Sequence, residues 1–216
     1  DNSAFITKWK IGAGDVIALP LITSGEYDAQ AFFGGGDQFN ITDSTQRLYS
    51  YTTGGVKTVY IYGTMKGWDF NKVSLSAEKI IDVVQCGNLQ LINSDTGGYF
   101  KNCTNLMWKA YDPLNITGVT NLSHMFENCT QFNGNINNWD TKNVINFTEM
   151  FKNAVSFDRN IGDWDISSAT TMKSMFNGVT LETHNYDKIL LGWEKQNNRQ
   201  KNVQFGAGNS KYSVIS

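Results

Sequence analysis

Apolar residues recur along the second half of the chain at helical spacing. Leu122, Met125, Phe126 and Cys129 stand at i, i+3, i+4 and i+7. Phe147, Met150, Phe151 and Ala154 repeat that spacing, and so do Met172, Met175, Phe176 and Val179. Each run predicts one apolar face of about two helical turns. After the first run, Phe132 and Ile136 share one parity in Phe132-Asn-Gly-Asn-Ile136, which predicts a short strand. Trp139-Asp140 and Trp164-Asp165 follow, and their carboxylates suit an Asx-turn or a helix N-cap. Met125-Phe126, Met150-Phe151 and Met175-Phe176 lie 25 positions apart. A fixed period of this size signals stacked repeats, because one unit cannot bury its apolar face alone. The expected coil is a short strand, a turn and a short helix. Equivalent strands of successive coils should lie parallel, about 4.8 Å apart, with right-handed crossovers. A weaker rung precedes these: Cys86-Gly-Asn-Leu89 and Cys103-Thr-Asn-Leu106 align with Cys129-Thr-Gln-Phe132 and Ala154-Val-Ser-Phe157.

The first 72 residues have another texture. Residues 5–11, 15–21, 27–33, 46–51 and 56–62 are short stretches rich in β-branched and aromatic side chains. Turn formers separate them, including Gly34-Gly-Gly-Asp37 and Thr52-Thr-Gly-Gly55. This pattern predicts a small antiparallel sandwich or meander. Trp68 and Phe70 sit in the seam that follows, and we expect them to pack between the two parts. Near the other end, Tyr186, Ile189, Leu190 and Trp193 again show helical spacing, with Thr183 as the expected N-cap. A last strand is expected at 203–205. The expected organisation is therefore residues 1–72 as a β-sandwich-like domain, 73–178 as the repeats and 179–216 as a C-terminal cap.

The run from Met125 to Val144, Met-Phe-Glu-Asn-Cys-Thr-Gln-Phe-Asn-Gly-Asn-Ile-Asn-Asn-Trp-Asp-Thr-Lys-Asn-Val, resembles the repeat of BspA-like leucine-rich-repeat surface proteins. Related repeats occur in mycoplasma surface lipoproteins. The stretches 80–89, 185–193 and 202–212 are similar to that family as well. Cys86 departs from it, standing where an aromatic residue is expected. The N-terminal segment resembles the PKD-like or immunoglobulin-like modules that precede such repeats, with Phe33-Gly-Gly-Gly-Asp37 in place of Trp-Gly-Asp-Gly. The resemblance implies an α+β leucine-rich-repeat-type solenoid behind a β-sandwich-like domain. It also implies recognition of extracellular protein or glycan ligands by a secreted or surface-displayed chain.

Charge and composition narrow the function classes. The net charge is −2, with no basic stripe of the kind nucleic acid requires. No apolar run is long enough to span a bilayer, and none reads as a signal peptide. The three cysteines, Cys86, Cys103 and Cys129, fall on one rung of the repeat. Buried free thiols fit that slot, since the next rung carries Ala154. A disulfide between adjacent rungs and a thiolate metal site are the alternatives, although no Cys-x-x-Cys spacing is present. His124 shares its repeat position with Glu149 and Ser174, which reads as an outward slot. Asp140 and Asp165 read as turn caps, with a calcium site or a glycosidase-like carboxylate pair as alternatives. Asn40, Asn102, Asn115, Asn121, Asn128 and Asn146 head Asn-x-Ser/Thr triplets.

No catalytic, metal or cofactor residues are expected, and the chain is not read as an enzyme. The expected ligand-binding patch is the outward parity of the repeat strands: Asn133, Asn135 and Asn137 on one rung, Asp158 and Asn160 on the next. The expected function is a non-enzymatic binding and adhesion module. The alternative is a structural protein such as a virion fibre or decoration protein, or a surface-layer or filament subunit.

Overall fold

The alternating stretches of the first half become strands in the computed structural model, which describes residues 3–213. In chain order these are β1 (Phe5–Ile11), β2 (Val16–Ala18), β3 (Glu26–Phe32), β4 (Gln38–Ile41), β5 (Leu48–Ser50) and β6 (Gly55–Lys66). Parity sets their faces. In β1, Phe5, Thr7, Trp9 and Ile11 are buried, while Lys8 and Lys10 lie on the opposite face. In β3, Tyr27, Ala29 and Ala31 point inward.

Three further strands, β7 (Ile80–Gln85), β8 (Leu89–Gln90) and β9 (Met107–Trp108), join the same sheet. Its order is β4-β3-β6-β1-β7-β9, with β8 alongside β6. Most neighbours are antiparallel, but β7–β9 and β6–β8 run parallel. Strands from both sides of residue 72 thus share one sheet. β2 and β5 form a separate antiparallel pair. Later in the chain come β10 (Thr171–Met172), α1 (Thr183–Glu194) and β11 (Gln204–Phe205), with β10 and β11 paired in parallel.

This architecture overturns the expected leucine-rich-repeat-type solenoid with a strand and a helix per coil, and with it the PKD-like sandwich. The regular secondary structure is mostly sheet, the large sheet is mixed, and α1 is the single α-helix among the described residues. The physical reason lies in residues 122–129. The N–H groups of Leu122, His124, Phe126 and Asn128 donate to the carbonyls of Asn146, Thr148, Met150 and Lys152, at 2.9, 2.9, 2.8 and 2.8 Å. Those donors are lost to any i→i−4 helix ladder. Within the segment, Met125, Glu127 and Cys129 donate to Leu122, His124 and Phe126, so it is a run of turns. His124 (φ 58°) and Asn128 (φ 62°) are left-handed, as are Glu149 (φ 55°), Asn153 (φ 59°) and Ser174 (φ 54°). A left-handed residue every four positions stops a right-handed helix from propagating. The expected strand around 132–136 forms no ladder either. Single parallel bridges fall instead at Asn121, Asn146 and Thr171.

Residues that recur at the repeat spacing are nevertheless neighbours. Phe126 and Phe151 stack at 5.8 Å, Phe151 and Phe176 at 5.5 Å, and Phe132 and Phe157 at 5.8 Å. Trp139 and Trp164 stack at 6.2 Å. The Trp164 indole N–H donates to Ile136 O at 2.9 Å, and Trp193 of α1 donates to Ile161 O at 3.1 Å, the same bond one unit on. At the front, Phe100 joins this row to Phe70 and Trp68 of the seam, at 6.3 and 6.4 Å. One apolar core therefore runs from beneath the sheet to α1. Cys86, Cys103 and Cys129 are free thiols buried within it. Burial pushes the Cys86 and Cys103 thiols well up.

Candidate functional site

Most side chains on the outer face of β3, β4 and β6 are exposed. In register across these strands, Phe32 pairs with Gln38 on one side and Tyr60 on the other, and Gln30 pairs with Asn40 and Tyr62. Cα partners of antiparallel strands point to the same side, so these residues form two adjoining rows. Phe32 and Tyr62 meet edge to face at 5.7 Å, and Tyr60 is 38 % exposed. Two shallow cavities share Gln30 and Tyr62. One of about 480 Å³ is bounded by Phe32 and Tyr60, and one of about 390 Å³ by Asp28, Asn40 and Thr42. Gly63 (φ 95°) allows β6 to close on β3 here, because a Cβ would come within 2.3 Å of Asp28 O. Among the described residues, no hydrogen bond or ion pair engages the side chains of Asp28, Gln30, Asn40, Tyr60 or Tyr62.

The amide patch expected on the repeats is arranged differently. Asn133 and Asp158 do lie on adjacent rungs, but as clips. Asn133 Oδ1 accepts the Asp158 N–H at 3.1 Å, and Asp158 Oδ1 accepts the Glu182 N–H at 3.0 Å. That second bond serves the start of α1, where Glu182 rather than Thr183 is the N-cap and offers no side-chain bond of its own. Asn160 Oδ1 accepts the Gly162 N–H at 2.9 Å. Asn135 and Asn137 face solvent, linked only by a long 3.5 Å contact. Asp140 and Asp165 each accept the N–H two residues on, at 3.4 and 2.9 Å, as Asx-turns do.

A charged cluster occupies the left-handed turns. Glu127 takes Lys101 at 2.8 Å, His124 Nδ1 at 2.8 Å and Lys152 at 3.3 Å. Glu149 takes Lys152 at 2.8 Å and lies 3.5 Å from His124 Nδ1. Burial alone would raise the Glu127 carboxyl, but the bonds from Lys101 and His124 outweigh it and hold it below its ordinary value. The bond to Glu149 holds the Lys152 ammonium above its own. The ligating atoms of His124, Glu127 and Glu149 lie within 4.8 Å of one another, and N/O donors of this kind suit a divalent metal. Two ammonium groups already neutralise the two carboxylates, so the arrangement acts as a charge clasp across three units. Its signal was in the sequence: Lys101, Glu127 and Lys152 share one repeat position with alternating sign.

Residues 94–215, more than half of the chain, match the family described as Mycoplasma protein of unknown function, DUF285. The chain belongs to the DUF285 family. No curated protein and no solved structure matches it. The DUF285 portion contains the charge clasp, the amide clips, α1 and β11. The bare aromatic face lies wholly outside it, on strands that precede residue 94. Sequence reasoning found β3 and most of β6 but neither β4 nor the neighbours each strand would take, since nothing in a single chain showed that Phe32 would stand beside Tyr60 and Tyr62.

Proposed function

We propose that this DUF285 protein is a non-enzymatic binding module that holds an extended glycan on the open face of β3, β4 and β6. The observation that carries the reading is the pairing of aromatic rings with unengaged polar side chains. Phe32, Tyr60 and Tyr62 offer apolar ring surface beside the Gln30 and Asn40 amides and the Asp28 carboxylate. A pyranose presents C–H groups on one face and hydroxyls around its edge. Rings pack against the first, and amides donate to and accept from the second. The amides of the repeats are the weaker candidate, because Asn133, Asp158 and Asn160 already hold backbone N–H groups. The resemblance of residues 125–144 to BspA-like surface proteins supports a place at or outside the cell surface, where glycans are displayed.

The test is a screen of the full chain on glycan and matrix-protein arrays, followed by Tyr62→Ala and Gln30→Ala. Each should weaken glycan binding about tenfold, the loss of one stacking or hydrogen-bonding contact of about 1.4 kcal/mol, with unfolding unchanged. If both bind as wild type while Asn135→Ala/Asn160→Ala does not, the site belongs to the repeats.

A structural role is the second reading, and β4 favours it. It is the outermost strand of the sheet, with Phe39 of its inner parity 45 % exposed. Such an edge can pair with another chain. Ordered polymers of the purified protein, together with no array ligand, would favour that reading.

A further inference from the structure

The last repeat rung is covered unlike the others. Ile166, Ala169 and Met172 stand 25 positions after Thr141, Val144 and Phe147. On their other side a further unit is replaced by α1 and the segment that follows. Trp193 continues the tryptophan row, but what comes next is Glu-Lys-Gln-Asn-Asn-Arg-Gln-Lys, eight residues without an apolar side chain. The segment is tied down at its two ends. Gln196 accepts the Ile166 N–H at 3.0 Å and donates to Trp164 O at 2.8 Å, and Gln200 donates to Ser167 O at 2.9 Å. Between these ties it bridges over a cavity of about 620 Å³. Its floor is Ile166, Ala169, Met172, Leu190, Trp193 and Phe205. On its rim stand Arg199 and Lys201, both exposed and in no ion pair among the described residues, with Glu194 as the single carboxylate.

We propose that this cavity binds a single-chain carboxylate amphiphile, with the aliphatic chain on the Met172–Trp193–Phe205 floor and the carboxylate between Arg199 and Lys201. The volume lies in the range of small-molecule sites, and the lining divides into an apolar floor and a polar strap that carries Arg199 and Lys201. Two cations against one carboxylate select an anionic head, and an arginine fork matches a carboxylate in shape as well as charge. The site is independent of the sheet face.

The experiment is calorimetric titration of the full chain with sodium octanoate and with 1-octanol. Octanoate should bind saturably at one site and more tightly than octanol. Arg199→Gln/Lys201→Gln changes only exposed side chains. It should weaken octanoate about tenfold, the worth of a charge-assisted bond, and leave octanol unchanged. Leu190→Trp, which enlarges a half-buried side chain of the lining, should weaken binding of both without lowering the melting temperature. Absence of saturable octanoate binding by the wild type overturns the proposal. So does equal affinity of the rim double variant for octanoate, or octanol binding as tight as octanoate.

Discussion

Left-handed residues decide what each repeat becomes. Gly98, His124, Glu149 and Ser174 fill one positive-φ position, and Asn102, Asn128, Asn153 and Gly178 fill the other. The asparagines form a ladder, with Asn128 donating to Asn102 Oδ1 at 2.8 Å and Asn153 to Asn128 Oδ1 at 2.9 Å. Gly178 ends it, since a Cβ there would stand 2.5 Å from Asn153 Oδ1. A non-glycine residue in this conformation costs about 1–2 kcal/mol, and glycine returns part of that gain as unfolded-state entropy. Ser174 makes no side-chain hydrogen bond among the described residues, so Ser174→Gly should stabilise the protein by about 0.5–1 kcal/mol. Urea unfolding reads this directly, and a lower midpoint would refute the argument. A second outcome follows from the clasp. The Glu127 carboxyl lies below its ordinary value, so its contribution is complete above the unfolded glutamate pKa of about 4.3. It is lost as pH falls through the lower folded value. Stability should therefore decline on acidification below about pH 5, and Glu127→Gln should flatten that decline. An equally steep decline in the variant would place the acid-sensitive group elsewhere.

At the scale of the element, the helical spacing of Leu122, Met125, Phe126 and Cys129 was legible but its cause was not. Successive turns with i→i+3 bonds place apolar side chains on one side much as a helix does. Two features separate the cases. Eight residues are too few to sustain a helix by themselves, and Asn128, Asn153 and Gly178 mark one left-handed slot. The other slot carries His124 and Glu149, which give no such mark. The aromatic rows, by contrast, were legible, because the residues that recur are the ones that touch. Phe151 packs on Phe126 at 5.8 Å, Phe157 at 4.0 Å and Phe176 at 5.5 Å. Phe151→Ala should cost about 3–5 kcal/mol, whereas Val155→Ala, at a position 59 % exposed, should stay within about 0.5 kcal/mol of wild type. Similar unfolding midpoints for the two variants would contradict the packing. The proposed binding face was least legible of all. Period-2 alternation shows which residues of β3 and β6 share a face, but strand order and register come from pairings far apart in sequence.

For the whole molecule, the mixed sheet and the repeats depend on each other. β9 belongs to the repeats by sequence and to the sheet by pairing, with Asp82 opposite Met107 and Val83 opposite Trp108. Phe100 packs on Phe70 and Trp68 in front and on Phe126 behind. A fragment limited to the DUF285 match, residues 94–215, would expose Phe100 and Trp108 and leave β9 without a partner. It should show no cooperative thermal transition, while the full chain should unfold in one step by both near- and far-ultraviolet circular dichroism. A fragment with a sharp transition of its own would show that the sheet is dispensable.

Trp139 and Trp164 are buried 6.2 Å apart with planes 9° from parallel. Two indoles this close and this aligned do not absorb independently, because their transition dipoles couple and share excitation. The molecule thus carries an internal optical gauge of repeat register, which fades when adjacent units slip and persists when only the sheet face is disturbed.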